Sequence, residues 1–207
     1  MSTWCGAEQV EHRELAVAGA FVFDPEVHPD RRGSFASPYQ ESVFAAAVGR
    51  PLFPVAQASR NISRRGVVRG VHYTLVPPGT AKYVFCTGGR ALDMVVDLRV
   101  GSPTFGRWEA VELTAGNGRA VYLPPGAGHA FAALEDDTVM CYLLSAEYRK
   151  EDDLTLSVLD EDLGLPLPGG TSPALSERDA AAPTLAEAAA RGLLPSYAPA
   201  TAPSAAR

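Results

Sequence analysis

From Leu52 to Ser145 the chain is cut into short β-prone segments at near-regular intervals, and this punctuation restricts the possible folds more than any other feature. The segments run Phe53 to Ser59, Gly66 to Thr74, Lys82 to Cys86, Ala91 to Val100, Trp108 to Leu113, Ala120 to Leu123 and Thr138 to Ser145. β-branched and aromatic residues fill them, and Gly, Pro and Asn separate them, a pattern that predicts an all-β sandwich or barrel. The Ala91 to Val100 segment alternates strictly, with Leu92, Met94, Val96 and Leu98 on one face and Asp93, Asp97 and Arg99 on the other. A period of two is the strand period, and Gly101-Ser102-Pro103-Thr104 ends the strand with turn residues. Asp93 and Asp97 then have three open roles: a solvated face, ion pairs at a rim, or contacts behind a site.

The remainder of the chain is less regular. Residues 1–14 read as a polar lead-in, Leu15 to Phe23 as an apolar segment, and Asp24 to Gly33 as a loop. Ser37-Pro38-Tyr39-Gln40 resembles a capping box with proline at the first helical position, predicting a short helix through Phe44 that Gly49 stops. No other helix is expected in the first 150 residues. After Pro166 the composition shifts to Pro, Gly and Ala, and only Pro183 to Gly192 reads as a helix, started by Thr184. The expected organisation is one β domain over residues 1–168, an extension with a short helix over 169–194 and a disordered tail over 195–207.

With 207 residues and 46% hydrophobic content, the chain can bury a full core. A formal charge of -6 argues against nucleic acid and anionic membranes as partners, while leaving room for a local basic pocket. Cys5, Cys86 and Cys141 are odd in number and form no CxxC pair, which predicts reduced thiols. There is no apolar run long enough to span a bilayer, and the acidic N-terminus, with Glu8, Glu11 and Glu14, does not resemble a signal peptide. A soluble, cytoplasmic protein is expected.

Chemically reactive side chains gather in Gly66 to Lys82, GVVRGVHYTLVPPGTAK. Residues three apart on a regular strand face opposite sides, which would separate Arg69 from His72. Gly70 lies between them and could seat a bulge that re-aims one of the two; the alternative is an inert, hydrogen-bonded histidine on a half-buried strand. Of the four histidines, only His72 and His129 fall inside the β-rich region. Metal-binding barrels of this kind use a His-x-His pair followed by Glu, whereas the segment here reads His72-Tyr73-Thr74. No metal and no cofactor are expected.

Seven motifs in order make the chain similar to the dTDP-4-dehydrorhamnose 3,5-epimerase family. They are RGSF at Arg32, GVVRGVHYT at Gly66, AKYVF containing Lys82, DMVVDLRVGSPTFGRW at Asp93, YLPPGAGHAF at Tyr122, the pair Tyr142 and Tyr148, and LDEDLGLPLP at Leu159. The resemblance spans residues 15–168 and is nearest to the branch found in antibiotic deoxysugar pathways. It implies a cupin-type jelly-roll barrel, a homodimer, and a metal-free epimerase acting on a dTDP-4-keto-6-deoxyhexose. By motif position it implies His72 as the catalytic base, Asp160 as the carboxylate orienting it, Tyr142 as the acid on the opposite face, and Lys82 at the C4 oxygen. It places Arg69, Arg32 and Gln57 at the nucleotide and phosphate site, and His129 and Tyr148 at the pocket wall.

The chemistry calls for the same residue types. A hydrogen on C3 or C5 of a 4-keto sugar is acidic only because the neighbouring carbonyl can take the charge as an enolate, so a base and a donor at that oxygen are required. Inversion needs a second proton source on the other face of the ring, and the diphosphate suits the forked donors of guanidinium groups. Two departures from the family pattern bear on regiochemistry: Ser37-Pro38 stands where members inverting both carbons carry Glu, and Ser59 stands where they carry Asn. Inversion at one carbon, with C5 favoured, is the resulting expectation. A metal-dependent cupin enzyme lacks its ligands here. A non-catalytic nucleotide-sugar-binding cupin would have no need of His72, Asp160 and Tyr142 together.

Overall fold

The structure, a computed structural model, describes residues 10–169 and 172–198. Thirteen strands and three short helices follow in chain order. β1 (Val10–Glu14) and β2 (Phe21–Pro25) form an antiparallel pair, β3 (His28–Asp30) and β4 (Gly33–Phe35) a small separate hairpin, and α1 covers Glu41–Val48. The body comprises β5 (Gln57–Ser63), β6 (Val68–Thr74), β7 (Lys82–Gly88), β8 (Arg90–Asp97), β9 (Trp108–Thr114), β10 (Ala120–Leu123), β11 (Ala127–Ala133), β12 (Thr138–Leu144) and β13 (Asp153–Thr155). α2 (Glu177–Ala180) and α3 (Leu185–Ala190) close the chain.

Two antiparallel sheets face each other as the expected jelly-roll barrel, one in the order β1-β2-β10-β7-β12-β5 and the other β13-β6-β11-β8-β9. Between them pack Val84, Cys86, Ala91, Val95, Phe131 and Met140. The outer faces are also covered, which explains why the strands do not read as simple in-out alternations. On the six-stranded sheet, Phe44 of α1 packs among Phe23, Tyr83 and Tyr122. On the five-stranded sheet, Leu185, Ala188 and Leu193 pack over Met94, Val96 and Leu98.

The alternation of β8 therefore has an unexpected sense. Its apolar face, Met94, Val96 and Leu98, points outward to the C-terminal segment, while Asp93 and Asp97 belong to the face that carries Ala91 and Val95 between the sheets. Both carboxylates are fully buried. Asp97 is neutralised by Arg99 at 2.8 Å and hydrogen-bonded by Ser102 and Thr104, and the buried Arg99 donates on to the Ala18 carbonyl.

Several expected boundaries move. Helix α1 starts at Glu41 with Gln40 as its cap, because the Pro38 carbonyl accepts instead from the Tyr83 hydroxyl at 2.5 Å; Gly49 stops it, in the left-handed region at φ 79°. The Asp24 to Gly33 stretch holds the end of β2 and the β3–β4 hairpin rather than one loop. The 169–194 extension carries two helices, the second capped by Thr184 in a full capping box with Glu187 as expected, and it packs onto the outer face of the five-stranded sheet. Residues 195–198 run beside Val100: Val100 donates to the Pro195 carbonyl and Tyr197 to the Val100 carbonyl. Residues 199–207, and Cys5, lie outside the described residues. Cys86 and Cys141 are free thiols, and no helix among the described residues is long and apolar enough to cross a membrane.

Candidate active site

A cavity of about 920 Å³ opens between the two sheets, lined by β5, β6, β7, β11 and β12 and by the loops at one end of the barrel. His72 enters from β6 in the five-stranded sheet, while Lys82 on β7 and Tyr142 on β12 enter from the six-stranded sheet facing it. Gln57, Arg69, His129 and Tyr148 line the same cavity.

Arg69 and His72 share it because β6 is bulged. His72 lies opposite His129 and Arg69 opposite Phe131, so two residues of β6, Gly70 and Val71, face the single Ala130 of β11. Gly70 sits at φ 115°, where a Cβ would lie 2.4 Å from the His129 carbonyl oxygen. Only glycine fits there.

His72 is held by a carboxylate, but not by the expected one. Its ring nitrogen lies 2.8 Å from Asp179 Oδ1, whereas Asp160 accepts from the backbone N–H groups of Leu185 and Asp162 and serves as a cap below α3. Asp179 belongs to α2, whose N-cap Ser176 accepts from the Asp179 N–H. Burial would push the Asp179 carboxyl up, but hydrogen bonds from His72, Ser176 and the Gly70 N–H hold it below the ordinary value. An ionised carboxylate only accepts, so the ring nitrogen facing Asp179 carries the proton and the other carries the lone pair. That is the tautomer a base needs. The Ser-x-x-Asp spacing of a capping box, Ser176 to Asp179, was the available sequence signal.

Opposite, burial pushes the Tyr142 hydroxyl well above the ordinary tyrosine range, against the hydrogen bond from Asn61. It therefore keeps its proton at neutral pH and can act only as a donor. Burial draws the Lys82 ammonium down, while the charges of Asp153 and Asp93 oppose that; its Nζ donates to the His72 carbonyl at 3.3 Å. His129 stands edge-on to Tyr142 and pairs with Asp93 at 2.6 Å, so Asp93 supports the cavity wall from behind.

Among the expected binding residues, Arg69 has no carboxylate partner among the described residues, its Nε donating to Ser63 Oγ. Gln57 is held along the wall, accepting from the Tyr148 N–H and donating to Ser59. Tyr148 is at the mouth, 57% exposed. Arg32 sits on the β3–β4 hairpin, paired with Asp30, outside the cavity of its own chain. Arg178, on α2, was missed; it lines the mouth and pairs with Asp153 at 2.7 Å. Among the described residues no cluster of three His, Cys, Asp or Glu side chains could hold a metal ion.

The model of the dTDP-4-dehydrorhamnose 3,5-epimerase family matches residues 14–187, a span that includes the His72–Asp179 pair. The chain belongs to this family. It is 49% identical over 186 residues to a dTDP-4-dehydrorhamnose 3-epimerase of Streptomyces niveus, covering 90% of this chain and 89% of the relative. A dTDP-4-dehydrorhamnose 3,5-epimerase of Mycolicibacterium smegmatis is 46% identical over 186 residues, 90% of this chain and 91% of its own. Among solved structures, NovW, a 4-keto-6-deoxy sugar epimerase from the novobiocin biosynthetic gene cluster of Streptomyces spheroides, superposes with a TM-score of 0.88 at 46% identity, over 95% of this chain and 98% of that one. The protein is an epimerase.

The separate duties of the two aspartates can be checked directly. Asp179→Asn, whose amide would donate to the ring and shift its proton, is expected to lower kcat by roughly 10²- to 10⁴-fold with nucleotide binding retained. Asp160→Asn is expected to leave kcat near normal and to cost about 1–3 kcal/mol of stability through the weakened cap, read as a lower thermal midpoint. A kcat loss in Asp160→Asn equal to that in Asp179→Asn would contradict the pairing.

Proposed function

We propose that the protein inverts one carbon next to the ketone of a dTDP-4-keto-6-deoxyhexose, His72 removing the proton and Tyr142 returning one from the other side. The observation that carries this reading is the placement of the paired His72 and the protonated Tyr142 on facing sheets of one cavity, with Lys82 beside them. A base alone would return the proton to the face it came from. With donors on both walls, the planar enolate can be protonated on either face, and the Lys82 ammonium stabilises the charge at its oxygen. Arg69, without a carboxylate partner among the described residues, suits the diphosphate.

We assign the susceptible hydrogen to C3, the carbon common to the names of the 3-epimerase and 3,5-epimerase relatives. The C5 preference drawn from Ser37 and Ser59 loses support because Ser37 does not line the cavity, and Ser59 is occupied by Gln57. The product would serve deoxysugar assembly of the kind that NovW's cluster serves. A homodimer is assigned from the family.

Incubation with a dTDP-4-keto-6-deoxyhexose in deuterated water, after chelator treatment and dialysis, is the test. We expect one deuteron at C3 for each inversion, undiminished activity, and sedimentation as a two-chain particle. Label at C5 alone would return the assignment to that carbon; activity lost and restored by zinc or iron would overturn the metal-free mechanism.

A further inference from the structure

We propose that Asn61 is a positioning residue for the acid, fixing the Tyr142 hydroxyl so that its proton is aimed into the cavity. The inference rests on the assignment of Tyr142 as the proton donor, and begins from a chain of hydrogen bonds that runs along the cavity wall. Arg69 Nε lies 3.2 Å from Ser63 Oγ, Ser63 Oγ 3.3 Å from Asn61 Oδ1, and Asn61 Nδ2 3.0 Å from Tyr142 Oη. Asn61 reaches the tyrosine diagonally across the β5–β12 pair, where it stands opposite Met140 and Tyr142 opposite Ser59.

The polarity of this chain is set at its charged end. A guanidinium only donates, so Ser63 accepts from Arg69. Ser63 is 3% exposed, and its own proton goes to Asn61 Oδ1. That turns the amide NH₂ toward Tyr142. An NH₂ also only donates, so the tyrosine oxygen accepts, and its single proton must point away from Asn61 and off the sheet. The flipped amide would place two N–H donors on Ser63 and leave its buried proton without this acceptor, at a cost of about 1–3 kcal/mol. A cation at the phosphate-binding position thus orients, through two neutral side chains, the proton that completes inversion.

The same contact acts in the transition state. As Tyr142 releases its proton, a phenolate develops in a buried place, and the Asn61 N–H is already aimed at it. Against the upward push of burial on the Tyr142 hydroxyl, this hydrogen bond is the largest opposing effect, with the Arg69 charge behind it.

Asn61→Asp provides the sharpest test, because it preserves shape and replaces the donor by an acceptor. Tyr142 would then donate to residue 61, its proton turned from the substrate. In deuterated water we expect inversion to fall at least about tenfold, with exchange at the His72 face kept within a few fold and dTDP affinity unchanged. Should the buried carboxylate prevent folding, Ser63→Ala, which frees the amide to flip, is expected to shift the ratio of exchange to inversion in the same direction by a smaller factor. A purely structural role would lower exchange and inversion together, and that outcome, or an unchanged ratio, overturns the proposal. Tyr142→Phe run alongside separates the two readings: if it loses inversion while the residue 61 and 63 variants keep theirs, only the role of Asn61 fails, and if it inverts normally both fail.

Discussion

Replacing His72 by asparagine is expected to abolish isotope exchange and inversion together, toward the upper end of the roughly 10²- to 10⁴-fold range that general bases contribute. Asparagine ends where the near side of the imidazole lies, short of the Nε2 that meets Asp179, so the Asp179 contact goes with the ring, while Arg69 is untouched and dTDP should bind as before. What disappears is the lone pair. Tyr142 cannot supply one, since burial holds its hydroxyl protonated, and His129 is engaged by Asp93 on the other side. Measured by proton NMR in deuterated water, the variant should show no label at the susceptible carbon during many wild-type turnovers. Near-normal exchange would place the base elsewhere and remove the meaning of the His72–Asp179 pair.

Tyr142→Phe is expected to fail differently. The enolate should still form at His72, so label should enter the sugar at a rate within a few fold of wild type. Its return should be to the original face, because phenylalanine offers no proton from the other wall, and inversion should fall by roughly 10²- to 10⁴-fold. The recovered sugar would be labelled yet mostly of starting configuration. Wild type should instead pair each inversion with one deuteron. Equal and undiminished rates of exchange and inversion in the variant would reduce Tyr142 to a packed aromatic, and Tyr148, at the cavity mouth, would be the next donor to remove.

The repeated short segments between turn residues were enough to predict an all-β body, since their lengths and punctuation are local properties of the backbone. β10 falls where expected, and Gly49 and Thr184 mark helix ends through conformational and capping preferences that need no distant partner. Gly70 too was legible: a glycine between two chemically useful residues at the wrong spacing suggested the bulge that β6 has. The ordered motifs pointed to the family and to His72, Lys82, Arg69 and Tyr142, all of which meet in one cavity.

What local pattern could not reveal was which carboxylate meets the histidine. Asp160 and Asp179 both follow the barrel in sequence and both end up buried, and the choice depends on how the C-terminal segment crosses the outer sheet. There the apolar face of β8 draws Leu185, Ala188 and Leu193 onto it, which brings α2 to β6, Asp179 to His72 and Asp160 under α3. That same docking decides the sense of β8. With its apolar face covered from outside, Asp93 turns inward behind His129. Alternation along a strand says that two faces differ; only the packing of remote segments says which of them becomes the interior, because burial is a property of the assembled sheets and not of the strand.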